Sequence, residues 1–222
     1  MTASGSVRAR PQRPVAAPLR RVPVQGLRRV PVQGRSVARV ERMLEACAHL
    51  VDEVGYDGLT TTLLAERAGV AIGSVYQFFP DKRAVVLALA QRHLQTYLDR
   101  LGGRLAAGVS GDWREATRIA VEEHVRMYHD VPGYQALRLA DPLGADPWPD
   151  REAPAAAHVA ELVIAAAALP DEPRTRLAVT LALQAADAVV RSAFRRDPVG
   201  DPDVLAEATA LVHGYLAARL DT

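Results

Sequence analysis

The chain has 222 residues, of which 49% are hydrophobic and 24% charged, which places it among globular proteins and excludes disordered, fibrous and collagen-like classes. Its apolar runs, of which VIAAAAL at 163–169 is among the longest, fall short of the roughly 20 residues needed to cross a bilayer, so no membrane span is expected. The net charge of +1 conceals a strong asymmetry along the chain.

Residues 1–35 hold eight arginines and no acid, residues 36–83 hold five basic and seven acidic side chains, and the remainder holds 14 and 19. The first segment also contains the octapeptide LRRVPVQG twice in tandem, at 19–26 and 27–34. Two copies of eight residues are too few for a solenoid, and Pro23, Gly26, Pro31 and Gly34 forbid a continuous helix. Residues 1–35 are therefore expected to form a disordered arginine-rich arm. Such an arm adds sequence-independent attraction to DNA phosphates or lies in a minor groove; alternatively it is a solvated extension or reflects a translation start placed too early. The N-terminus has no apolar core of a secretory signal, and five prolines break any amphipathic transit helix, so a cytoplasmic location is expected. Cys47 is the only cysteine, leaving no internal disulfide and no cysteine-based metal cluster. No metal or cofactor is expected.

From Ser36 the pattern turns helical. SVARVERMLEACAHLVDEVG places Val37, Val40, Met43, Leu44, Cys47, Leu50 and Val51 on one stripe, with Gly55 as the stop. Thr60, Thr61 and Thr62 offer N-cap oxygens to LLAERAG, a helix of two turns ended by Gly69. AIGSVYQFF makes a second short helix, which Pro80 ends by pushing the preceding residue out of the helical region. Asp81 caps the next helix, running from Lys82 to the glycine pair at 102 and 103. A long amphipathic helix followed by two short ones across a glycine turn describes a helix-turn-helix, whose second short helix enters the major groove. Val70 and Val75 then lock the short helices together, Phe79 plugs the core, and Gly73 lets the backbone approach DNA closely.

GYDGLTTTLLAERAGVAIGSVYQFFPDK, at 55–82, resembles the helix-turn-helix signature of the TetR family of bacterial transcriptional regulators. The resemblance covers about residues 37–90. It implies Thr61 or Thr62 against a phosphate, Gly73, Ser74 and Gln77 toward bases, and Tyr76 and Lys82, the chain's one lysine, on the DNA backbone. The recognition helix departs from the family where Ala71 replaces a capping Ser or Thr, at a cost of about 1 kcal/mol. It also lacks Arg, Lys and Asn, so Gln77 is the best candidate for bidentate reading of an adenine, and some reading of DNA shape is expected.

The rest, about 105–222, reads as a second all-helical domain. WREATRIAVEEHVRMYHD is one amphipathic helix, DPLGADPWPDREAP a loop, and three further helices cover AAAHVAELVIAAAAL, RTRLAVTLALQAADAVVRSAFRR and VLAEATALVHGYLAARL. The fold class is thus all-α: an N-terminal three-helix DNA-binding domain at 36–82, a connecting helix at 83–104, and a C-terminal helical ligand-binding and dimerisation domain. By resemblance, the last two helices form a four-helix interface in a homodimer, which matches a palindromic double-stranded operator with two half-sites. The resemblance also implies a small-molecule effector. Candidate lining residues are His124, Met127, Tyr128, Gln184 and Asp187, with Phe194 near a mouth, in a lining whose apolar character suits a largely apolar ligand. Asp187 can instead pair with Arg191 at i+4, and Gln184 can lie across the dimer interface. His124 and His129 lack the spacing of a zinc-protease helix, and no nucleophile elbow or phosphate loop occurs, so no enzyme is expected.

If the arm neutralises phosphates, a form starting at Ser36 loses DNA affinity less steeply with salt than the full chain, by about 0.9 in slope for each phosphate contact removed. Fluorescence anisotropy over a salt series reads this directly, and equal slopes make the arm a passenger.

Overall fold

A computed structural model of the chain describes residues 34–108, 111–140 and 155–221. Residues 1–33 of the arm expected at 1–35, and the proline-rich segment at 141–154, lie outside the described residues, while Gly34 and Arg35, expected in the arm, begin the first helix. Among the described residues there are nine helices: α1 Gly34–Gly58, α2 Thr61–Ala68, α3 Ile72–Phe78, α4 Lys82–Gly108, α5 Trp113–Asp130, α6 Tyr134–Ala140, α7 Ala155–Ala166, α8 Pro173–Arg196 and α9 Pro202–Leu220.

Local chemistry fixes the boundaries of the first four. Gly55 takes φ 70 and ψ 176, a left-handed break that kinks α1, after which one further turn runs to Gly58. Thr60, rather than Thr61 or Thr62, is the N-cap of α2, its side chain accepting from the Leu63 amide at 3.1 Å. Gly69 closes α2 with φ 62 and ψ 44. Ala71 gives α3 no side-chain cap, as its methyl group requires. Asp81 Oδ1 accepts from the Ala84 amide at 2.8 Å and starts α4. The expected stop at Gly102 and Gly103 does not occur, because α4 continues to Gly108 with Leu101 and Leu105 buried on either side of the pair. Packing of a helix face outweighs the roughly 1 kcal/mol that each glycine costs.

Two apolar cores result. The first joins α1 to α4 through Met43, Cys47, Leu50, Leu64, Val75, Phe79 and Leu89. Val37 stands outside it and is exposed, since the first turn of α1 projects past the helices it packs on. Burial pushes the Cys47 thiol up to about 12, so it is a protonated apolar filler. The second core joins α4, α5, α7, α8 and α9 through Leu101, Met127, Val163, Val179, Val190, Phe194, Val212 and Leu216. By length and apolarity alone α8 is able to cross a membrane, with a mean hydropathy of 1.4 over its best stretch; no single apolar run reveals this because Arg, Thr and Gln interrupt it. Here it packs between α7 and α9 as a core helix.

Between α4 and α5 a carboxylate replaces apolar packing. Glu123 is only 3% exposed and faces Arg104 Nη1 at 3.2 Å, Arg100 Nη1 at 3.8 Å and Arg126 Nη1 at 3.9 Å. Three guanidiniums offset the cost of burying one carboxylate, and two of them come from α4, so the contact holds α4 against α5.

The two cores meet at α6, a helix the sequence pattern did not reveal. Its Leu137 belongs to the first core and its Tyr134 to the second. The preceding turn closes on α1: the Gly133 amide donates to Asp52 Oδ2 at 2.7 Å, and His93 Nε2 of α4 lies 3.1 Å from the Pro132 carbonyl. Because a carbonyl only accepts, that nitrogen carries the proton. Burial, helped by the Arg92 charge, lowers the His93 pKa to about 3, so the ring is neutral. Gly133 sits at φ 75, and a Cβ there would stand 2.8 Å from the Ala48 oxygen and 2.9 Å from its Cα.

Gly133→Ala therefore combines left-handed strain with a backbone collision and is expected to cost about 1–3 kcal/mol. Urea denaturation measures this, and an unchanged midpoint contradicts the contact.

Candidate functional site

The helix-turn-helix presents its polar groups on one outward surface. Tyr76 is 46% exposed, and its hydroxyl lies 3.0 Å from Thr61 Oγ1, joining α3 to α2 across 15 residues of chain. With Thr60 used as the cap, the Thr61 hydroxyl is left for this bond. Thr62 and Gln77 are exposed and Ser74 is half-buried. Gly73 is exposed, and no described atom lies within 4 Å of a Cβ built on it, so the protein's own packing does not demand a glycine. Beneath this surface Val75, Phe78 and Phe79 are buried and Val70 packs against the same core.

Lys82 is held differently from the rest. Its ammonium donates to the carbonyls of Tyr56 at 3.1 Å and Asp57 at 3.4 Å, and stands 4.5 Å from the centroid of the Tyr56 ring. It thus adds a donor to carbonyls where α1 kinks and ends, the Tyr56 oxygen also accepting from the Leu59 amide at 3.3 Å, and shares its charge between those oxygens and an aromatic face. Tyr56 escaped sequence reasoning, since its only signal was a place beside the stop glycine. Nearby, Arg67 forms a two-pronged bond to Glu53 at 2.8 and 2.6 Å, neutralising the one arginine of α2. The surface is therefore rich in hydroxyl and amide donors and poor in free charge. Such groups suit phosphate oxygens and base edges.

A second constellation lies in the C-terminal core. Asp187 of α8 accepts from Arg191 Nη2 at 2.7 Å and from Arg138 Nη2 of α6, and its Oδ1 is 2.9 Å from His124 Nε2 of α5. The other ring nitrogen of His124 is 3.2 Å from the Tyr134 hydroxyl. Burial alone would raise the Asp187 pKa, but the hydrogen bonds and charges of His124, Arg138 and Arg191 overcome it and hold the carboxyl well below its usual range. Tyr128 stacks on Phe194 with centroids 4.2 Å apart and planes 9° from parallel. Of the residues singled out in sequence, the structure brings His124, Tyr128, Asp187 and Phe194 together. Phe194 is fully buried rather than at a mouth, because its ring is the stacking partner of Tyr128. Met127 is buried in the same core. Gln184 is exposed on a different face of α8. Arg138 and Tyr134 were missed because α6 is too short for its periodicity to register.

Gln184 shares its face with Leu177 and Leu181, which are 60% and 43% exposed. These positions, spaced four and three apart, form one stripe along α8. On the adjoining α9, Leu211 is also exposed, beside Ala210, Gly214 and Ala218.

This architecture has known counterparts. Residues 43–89 match the model described as bacterial regulatory proteins, tetR family, and residues 111–220 match the tetracyclin repressor-like C-terminal domain. The crystal structure of a TetR-family transcriptional regulator from Streptomyces coelicolor is similar with a TM-score of 0.70 and 36% identity, covering 82% of this chain and 99% of that one. The chain belongs to the TetR family. Within its DNA-binding part, the tetracycline repressor protein class A from transposon 1721 of Escherichia coli is 48% identical over 52 residues, 23% of this chain and 24% of that protein. The transcriptional activator FasR of Mycolicibacterium smegmatis is 33% identical over 116 residues, 52% of each chain. The chain spans between 24% and 52% of the curated relatives it matches. These TetR-family matches are transcriptional regulators, not enzymes, and so is this protein, with a helix-turn-helix DNA-binding domain.

Thr61→Val and Tyr76→Phe remove the same exposed hydrogen bond of this TetR-family domain from either side. Each is expected to change folding stability by less than about 0.5 kcal/mol, and the double variant by less than the sum. A urea-denaturation double-mutant cycle checks both statements.

Proposed function

We propose that the protein is a homodimeric repressor that holds a palindromic operator through α2 and α3 and is released from it by a small, largely apolar ligand bound in the C-terminal domain. The observation that carries the DNA reading is the exposed Thr61 and Tyr76 hydroxyl pair beside Gly73, a glycine with open space where its side chain would be. On this reading the Thr61, Thr62, Tyr76 and Lys82 side chains contact the sugar-phosphate backbone. The backbone of DNA approaches Gly73, and Ser74 and Gln77 reach base edges. Lys82 gives up one of its two carbonyl bonds to meet a phosphate, or polarises the end of α1 from where it stands. Location in the cytoplasm accords with contact to the operator.

The exposed leucine stripe of α8 and the small-residue surface of α9 support dimerisation, since burying each leucine stabilises an interface by about 1.5–3 kcal/mol. A two-fold axis there places two recognition helices for two half-sites. A bound dimer represses where its operator overlaps a promoter. The likeness of half the chain to an activator favours one second reading, in which the same DNA contacts serve activation.

The test is anisotropy of the protein on the DNA upstream of its own coding sequence against scrambled duplex. Specific binding by the wild type, lost in Tyr76→Phe/Lys82→Ala with the fold retained, supports the reading. Equal binding of both duplexes by both proteins overturns it for that DNA. In parallel, a small-molecule thermal-shift screen should find a ligand that, at 100 times its dissociation constant, stabilises the fold by about 2.7 kcal/mol and lowers DNA affinity.

A further inference from the structure

Ile72 has no part in the packing of the helix-turn-helix. It is the first residue of α3, is 41% exposed and belongs to neither apolar core. Val75 and Phe78 of the same helix are buried, and Val70 just before it packs on the first core, so the core takes its contacts elsewhere. Nothing local asks for isoleucine either. The helix has only seven residues, Ala71 gives it no side-chain cap, and a β-branched residue is a weaker helix former than alanine or leucine.

Its neighbours give the position a use. Ile72 and Tyr76 are four residues apart, as are Gly73 and Gln77, and all four are exposed, so together they form one outward face of α3. On that face the Tyr76 hydroxyl is bonded to Thr61 and Gly73 has no side chain. The side chains left to meet bases are the hydrocarbon of Ile72, the amide of Gln77 and the half-buried hydroxyl of Ser74.

Resting on the reading of α2 and α3 as the operator-binding surface, we infer that Ile72 is a specificity-determining residue that packs on the C5 methyl of a thymine, so that each half-site carries a T·A pair beneath it. The thymine methyl is the apolar group that base edges present in the major groove, and apolar side chains are its ordinary partners. Cytosine carries only a hydrogen at that carbon, and a purine edge would set polar atoms against a side chain that cannot hydrogen-bond them. The contact removes apolar surface of both partners from water. The open space over Gly73, where no described atom lies within 4 Å of a Cβ, leaves room for the base pair beside Ile72. Gln77 suits adenine, so both readers select A·T pairs in a helix that has no Arg or Lys.

The experiment uses the full chain and the duplexes that it enriches from a random library. Each thymine of an enriched duplex is replaced in turn by deoxyuridine, which deletes the C5 methyl and keeps the pairing, and binding is followed by fluorescence anisotropy at fixed salt. One thymine per half-site is expected to matter. Its replacement weakens binding about fourfold, the equivalent of one buried methyl group, and about fifteenfold when both half-sites are changed. Ile72→Ala, at an exposed position, should keep the thermal midpoint of the wild type and bind the thymine and deoxyuridine duplexes alike. An effect of the methyl on DNA shape would survive that substitution, so the difference between the two proteins isolates the contact. Deoxyuridine without effect at every position, an equal loss in wild type and Ile72→Ala, or enriched half-sites without thymine overturns the assignment while the operator reading stands. No enrichment by the wild type overturns the operator reading and the assignment together.

Discussion

The bond between the Gly133 amide and Asp52, made at a position where only a glycine fits against Ala48, sets how the two halves of the molecule sit together. It brings the turn between α5 and α6 into backbone contact with α1, and everything on either side of α6 inherits that geometry. His93 reinforces it by donating from a neutral, buried ring to Pro132. A charged histidine there would be costly to bury, so the environment that depresses its pKa also keeps the joint closed.

From that joint the two cores acquire different characters. The first is apolar and tightly filled, with Cys47 and Phe79 wholly enclosed, as befits a unit that must hold α2 and α3 rigid. The second encloses charge: Glu123 among three arginines on one side, Asp187 between two arginines and His124 on the other. Buried ion clusters have sharply defined arrangements and respond strongly when one partner is replaced. Because α6 belongs to both cores, a rearrangement of the second is transmitted to the first through a packed helix rather than a flexible linker. In the proposed repressor this is the physical route by which occupancy of one domain alters the other.

Much of this was legible in the sequence, and the parts that were not have identifiable causes. The α2–α3 unit was readable because Gly69, Pro80 and Asp81 are punctuation with a local mechanism. α8 and α9 were readable from long helical periodicity. Gly102 and Gly103 misled, since a glycine pair looks like a stop while the buried leucines on both sides carry α4 through it. Helix α6 stayed hidden in seven residues whose conformation depends on α1 and α8, which are distant in sequence. With α6 hidden, Arg138 and Tyr134 were hidden too, and the candidate site was half complete: Asp187 was singled out as a lining residue with Arg191 as an alternative partner, but its partner from α6 was not foreseen. Lys82 was expected on the DNA backbone. That its ammonium grips the end of α1 is a tertiary fact, set by a carbonyl pair that only appears once Gly55 has kinked the helix.

The claim at the centre of this account is that two copies of the α2–α3 surface read DNA together. Selection from a library of random duplexes by the purified full chain tests it whatever the sequence of the operator. The account predicts enrichment of a two-fold symmetric sequence, with half-sites separated by about one helical turn and no enrichment by Tyr76→Phe/Lys82→Ala. Recovery of an asymmetric sequence, or of no sequence at all by the wild type at low salt, would contradict it.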